Sequence, residues 1–126
     1  MATASELNPE EIAAYRAMAW ERHQREKEAI AAREERAWSV AREAAMRLRR
    51  AFRVQRVVVF GSLVHPGCFN AWSDVDIAAW GIDPDDTFRA IGVAMDTDTE
   101  IVVNLVDVGA CSASLRRVIE RDGVPL

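Results

Sequence analysis

Apolar side chains recur at helical spacing over the first half of the chain, and from Arg53 the pattern changes to short apolar runs. Trp38, Ala41, Ala45, Leu48 and Phe52 follow one another at intervals of three or four, which makes a single stripe along an α-helix. The segment ERHQREKE at 21–28 offers no such stripe. Pro9 is the only early proline and Gly61 the first glycine, so a helix is predicted without a breaker from Pro9 to Phe52. Asn8 suits the N-cap, Pro9 the first helical position, and Glu10 and Glu11 oppose the positive end of the helix dipole. Such a helix would be about 65 Å long at ~1.5 Å per residue, longer than so small a domain is wide, so part of it must project, bend back or bind something. The stripe assigns the second half to a core and leaves the first half as an arm, which predicts an N-terminal helical arm at 1–33 and a domain at 34–126. Ile12, Tyr15, Ala19 and Trp20 form a small apolar patch on the arm. That patch is either a homodimer or partner contact, or a surface folded back over the domain.

After Arg53, RVVVFGS is a β-branched run closed by Gly-Ser, and SDVDIAAW is a second strand candidate behind a loop containing Pro66 and Gly67. GIDPDDTFRAIGVAM opens a helix, with Asp83 as N-cap, Pro84 in the first turn, and Phe88, Ile91 and Met95 spaced to face a sheet. EIVVNLVDV is a third strand candidate. Ser112 or Ser114 can cap a last helix carrying Leu115, Val118 and Ile119, which Gly123 ends. The order helix, strand, loop, strand, helix, strand, helix is that of an α/β (α+β) domain in which helices pack on a small sheet.

Composition narrows the class. At 126 residues and 50% apolar, the chain suits one compact domain with a modest core. No apolar run approaches the ~18 residues of a membrane span, and MATASELNPEEIAAY lacks the pattern of a signal peptide, so a cytoplasmic protein with no membrane partner is expected. Cys68 and Cys111 form no ligand cluster and are expected as free thiols. A net charge of −4 argues against a broad nucleic-acid surface. The local stretch RLRRAFRVQR fits cations gathered near a helix C-terminus.

The chemistry concentrates in GSLVHPGCFNAWSDVD, residues 61–76. Alternate strand residues share a face, so Asp74 and Asp76 point one way while Val75 and Ile77 point into the core. Two converging carboxylates repel each other unless a divalent cation lies between them, and Mg²⁺ takes a couple of carboxylates together with phosphate oxygens and water. Gly61, directly after a strand, lets the backbone approach an anion, and Ser62 can donate to phosphate oxygens. Together these groups suit a metal–polyphosphate. His65 is expected to face solvent in the loop, and Trp72 and Trp80 to serve as core or cover rather than as stacking partners for a base.

FGS, then eleven residues, then DVD and an apolar strand resembles the signature of the DNA polymerase beta-type nucleotidyltransferases, specifically the minimal nucleotidyltransferases of prokaryotes. The resemblance runs from about Arg53 to the closing LRRVIERDGVPL. It implies a small mixed sheet flanked by helices, ATP or another nucleoside triphosphate with Mg²⁺, and transfer of a nucleoside monophosphate with release of pyrophosphate. It places the triphosphate on Gly61 and Ser62, with Ser73 among the nucleotide-binding residues, and the metals on Asp74 and Asp76. The third strand departs from the family. Where a third acidic residue is usual, in a segment like VDLVD, this chain reads VNLVD, and Asn104 holds the catalytic position. An amide is neutral and can offer a metal only its carbonyl oxygen. Asp107 is an odd number of residues away and faces the other side, while Glu100 would lie about 13 Å off at ~3.3 Å per residue. Two functions follow: a nucleotidyltransferase acting on a hydroxyl, by analogy that of a HEPN-type toxin, or a degenerate antitoxin that binds nucleotide or protein stoichiometrically.

Overall fold

The computed structural model describes residues 7–126. Contacts divide the chain into two units, Met1–Ala32 and Arg33–Leu126. One helix, α1, runs uninterrupted over Pro9–Phe52, the bounds that the lone proline and the absence of glycine predict. Asn8 caps it: the Asn8 Oδ1 accepts the Glu11 N–H at 2.8 Å, and the Asn8 amide returns a bond to the Glu11 carboxylate at 3.2 Å. Arg53 adopts φ 52°, a left-handed turn that ends the helix. In the first unit Tyr15, Met18 and Trp20 are exposed. Among the described residues no helix is long and apolar enough to cross a membrane.

The second unit is an α+β domain. After the remainder of α1 come β1 (Arg56–Phe60), a 3-10 turn (Gly61–Val64), β2 (Val75–Trp80), α2 (Thr87–Met95), β3 (Val103–Asp107), α3 (Ala113–Asp122) and a two-residue strand, β4 (Val124–Pro125). The sheet order is β3-β2-β1-β4, with β2 and β3 parallel and both pairings of β1 antiparallel, so the sheet is mixed. Helix α2 makes the crossover that a parallel pair requires. Side-chain alternation sends Val57, Val59, Val75, Ile77, Ala79, Val103 and Leu105 to one core. Ala37, Val40, Ala41, Ala44, Ala45 and Leu48 of α1 join them there, as the helical stripe predicts. The opposite face gathers Val58, Phe60 and Ala78 with Val108 and Ile119, and Trp80, Val106 and Leu115 pack at its margin. Fully buried Leu48, Ile77, Ile101 and Ile119 contribute about 1.5–3 kcal/mol each.

Three expectations change. Helix α2 buries Ala90 and Ala94, with Ile91 packed beside them, and leaves Phe88 (88%) and Met95 (55%) exposed. Two small side chains one turn apart let the helix lie close on the core, where a phenylalanine would hold it off. Asp83 caps a short 3-10 turn, accepting the Asp85 N–H at 2.9 Å, and α2 starts only at Thr87. The third strand starts at Val103 rather than Glu100, because Asp98 draws off the preceding backbone by accepting the N–H groups of Glu100 and Ile101. At the other end Ser112 caps α3 through the Leu115 N–H at 3.2 Å, and Gly123 follows the helix into β4, which the sequence pattern does not announce. The basic stretch is engaged locally: Arg47 pairs with Glu43, Arg49 donates to the Leu126 carbonyl, and Arg56 lies 4.4 Å from the centre of a Trp80 ring.

Candidate functional site

The candidate site lies at one end of the sheet, where β1 stops and β2 and β3 start. Phe60, Asp76 and Asn104 stand side by side across these three strands. At the end of β1 the chain turns sharply at Gly61, whose φ is 76°. A Cβ on that residue would sit 2.5 Å from the Asp76 Oδ2, so position 61 must be glycine both for its conformation and for the closeness of the carboxylate. The turn backbone is thereby held against Asp76. Ser62 follows within the same turn, its carbonyl accepting the His65 N–H at 3.3 Å.

Asp74 immediately precedes β2, and the Val75 N–H bonds the Val102 carbonyl at 2.9 Å. Val75 and Ile77 are fully buried on the opposite face, as the alternation requires. Asn104 faces the two aspartates. Its amide nitrogen donates to Asp74 Oδ2 at 3.4 Å and to Asp76 Oδ1 at 3.2 Å, so one side chain touches both carboxylates. Burial raises the Asp76 carboxyl above its ordinary range, the Asp74 charge adds to that, and the Asn104 hydrogen bond works against it. The amide partly does what a cation would do there.

The other acidic candidates are placed elsewhere. Asp107 pairs in register with Ala79, whose side chain belongs to the opposite core, and it accepts the Thr87 hydroxyl at 2.8 Å and the Gly109 N–H at 3.1 Å. Glu100 lies outside β3, 70% exposed and 3.9 Å from Arg36. Among the described residues no three acidic, histidine or cysteine side chains form a metal cluster. The donor set is two carboxylates, and that fits Mg²⁺ bound jointly with phosphate oxygens better than a metal caged by protein alone. Cys68 and Cys111 are both free thiols.

The loop between Val64 and Asp74 departs from expectation. Trp80 covers the second core at its margin, but Trp72 is 87% exposed, two residues before Asp74, so it is not core. His65 is half exposed, its Nε2 3.4 Å from the Asp122 carboxylate. Ser73 turns its hydroxyl into the loop, where it accepts the Asn70 N–H at 2.9 Å. Arg33 of α1 is a site neighbour that the sequence reading passes over, although it falls one turn before Ala37 on the buried stripe. Its guanidinium donates to the carbonyls of Asn70 and Ser73.

No family model matches the chain, and the search of curated proteins gives no match. Among solved structures, the chain is similar to a protein described as a candidate minimal nucleotidyltransferase, with 25% identical residues, 79% of this chain and 94% of the other covered, and a TM-score of 0.49.

Proposed function

We propose that the chain is a nucleotidyltransferase that moves a nucleoside monophosphate, AMP where ATP is the donor, onto a hydroxyl acceptor and releases pyrophosphate. The observation that carries this is the Gly61 turn closed against Asp76 while Asp74 and Asp76 converge on one Asn104 amide. A Gly-Ser turn suited to an anion and a pair of carboxylates then occupy one place. Asp74 and Asp76 would hold Mg²⁺, which supplies charge neutralisation at the phosphoryl centre. Gly61 holds the turn backbone against Asp76, beside the metal site, and Ser62 can donate to triphosphate oxygens there. In the transfer the acceptor oxygen bonds to the α-phosphorus, the bond to the bridging oxygen of the β-phosphate breaks, and pyrophosphate leaves with that oxygen. The acceptor proton passes to water or to an aspartate, since the Asn104 amide cannot take it.

A second reading has its own support in Asn104, a neutral amide against both aspartates at the sequence position where the resemblance implies a third acidic residue. On that reading the chain binds nucleotide, or a partner, without transferring anything. A HEPN-type toxin is the acceptor in the first case and the stoichiometric partner in the second, with the exposed Tyr15, Met18 and Trp20 available for a partner or for a second copy. Calorimetry with ATP and Mg²⁺ tests the site that both readings share. The Asp74→Ala, Asp76→Ala double variant is expected to lose the Mg²⁺-dependent heat, and equal heats for the variant and the parent would overturn the site assignment.

A further inference from the structure

Arg33 opens the larger unit, one helical turn before the fully buried Ala37. Its Nε donates to the Asn70 carbonyl at 3.3 Å and its Nη2 to the Ser73 carbonyl at 3.0 Å. The guanidinium carbon lies 5.8 Å from the centre of the Phe69 ring, which is itself buried. One side chain thus grips both ends of the turn that leads into Asp74. That turn is closed internally as well: the Ser73 Oγ accepts the Asn70 N–H at 2.9 Å, the Asn70 Oδ1 accepts the Trp72 N–H at 2.8 Å, and the Ser73 N–H reaches the Asn70 carbonyl at 3.2 Å. On its other side Asp74 is followed by Val75, which is bonded into the sheet. Asp76 needs no such device, because it lies within β2 between two paired strands.

We infer that Arg33 is a positioning residue: by holding the carbonyls of Asn70 and Ser73 it sets Asp74 at the spacing from Asp76 that a divalent cation and a triphosphate require, a role that rests on the phosphoryl-transfer reading of the site. A planar fork with several donors can serve two carbonyls and stack on a ring at once, whereas a lysine ammonium is a point donor on a flexible stem. Partners that orient a metal-binding side chain typically matter by about 10–100-fold in metal affinity.

Three full-length chains, the parent, Arg33→Lys and Arg33→Ala, distinguish positioning from plain anchoring. Each is titrated calorimetrically with ATP in Mg²⁺ and with ATP in EDTA, and amide exchange is followed across 68–74. Arg33→Ala is expected to weaken the Mg²⁺-dependent binding at least tenfold and binding in EDTA less than twofold, with exchange of the Asn70, Trp72 and Ser73 amides at least tenfold faster and that of Val57–Val59 unchanged. Arg33→Lys should fall between the two, at least threefold weaker in Mg²⁺, and it decides the matter if the alanine variant does not fold. A residue that only anchors the turn would lower the melting temperature and speed exchange while leaving the Mg²⁺-dependent affinity within twofold of the parent, which overturns the inference alone. A parent with no Mg²⁺-dependent binding overturns the phosphoryl-transfer reading, and the inference with it.

Discussion

Asn104 places a neutral amide against both aspartates of the candidate site. Burial, and then the neighbouring Asp74, hold the Asp76 carboxyl above its ordinary range, against the pull of the Asn104 hydrogen bond. A carboxyl raised in the folded state contributes stability that is fully present below its unfolded value of about 3.9 and is lost as the pH rises through the folded value. Asn104→Asp removes the donor and adds a third negative charge. The metal-free variant is therefore expected to be less stable than the parent at pH 7, with the difference shrinking as the pH falls toward 4 and when Mg²⁺ is added. A positioned base contributes ~10²–10⁴ in rate, so nucleotidyl transfer should rise at least tenfold while nucleotide affinity changes far less. Thermal melts in EDTA and in Mg²⁺, beside pyrophosphate release with a candidate acceptor, check both halves. A variant as stable as the parent in EDTA at both pH values, and no faster, would mean that position 104 does not govern the site.

Among the elements, β3 has its start set by one side chain, Asp98. The Asp98 carboxylate accepts the backbone N–H groups of Ile101 at 2.9 Å and Glu100 at 3.1 Å and pairs with Arg36 at 2.9 Å, and the side chain is only 13% exposed. These bonds, that of Ile101 foremost, lower its carboxyl below the usual range. A carboxyl lowered by folding contributes stability that is present above its unfolded value, about 3.9, and is lost as the pH falls through the folded value. Asp98→Ala should cost about 1 kcal/mol at pH 7, the usual worth of a side chain that caps backbone N–H groups. Urea melts at pH 7 and pH 3 give the test: the gap between parent and variant narrows in acid if the carboxylate is responsible, and a gap that stays constant would point to lost packing instead.

For the whole molecule, every buried apolar side chain of the described residues falls between Ala37 and Ile119, inside the larger unit. The unit Met1–Ala32 carries Tyr15, Met18 and Trp20 exposed, and its Leu7, Ile12, Tyr15 and Arg16 border a cavity. A chain that starts at Arg33 keeps the whole stripe of α1 from Ala37 to Leu48 and is expected to melt cooperatively within a few degrees of the parent. Any self-association of the parent should be lost with the arm. Scanning calorimetry and sedimentation of the two chains check this, and a truncated chain that aggregates or melts without cooperativity would make the arm part of the core.

The sequence by itself determined what is local or periodic. Asn8, Pro9 and an unbroken helical run set α1, and the β-branched runs set β1 and the start of β2. Strict alternation put Asp74 and Asp76 on one face of their strand and Asn104 and Asp107 on opposite faces of theirs, because a strand cannot turn one residue over without turning them all, while the register of β2 on β3 brought Asn104 to the aspartates. What depends on partners far along the chain was settled only by the tertiary structure. Helix α2 carries apolar side chains on more than one side, and the choice of Ala90 and Ala94 over Phe88 and Met95 was made by how closely it can approach the core. The exposure of Trp72 depended on whether the loop tip met a neighbour, and β4 exists because α3 delivers Val124 to the free edge of β1. The grip of Arg33 on the turn before Asp74 spans 37 to 40 residues of sequence, a distance over which no periodicity carries information and only packing brings donor to acceptor.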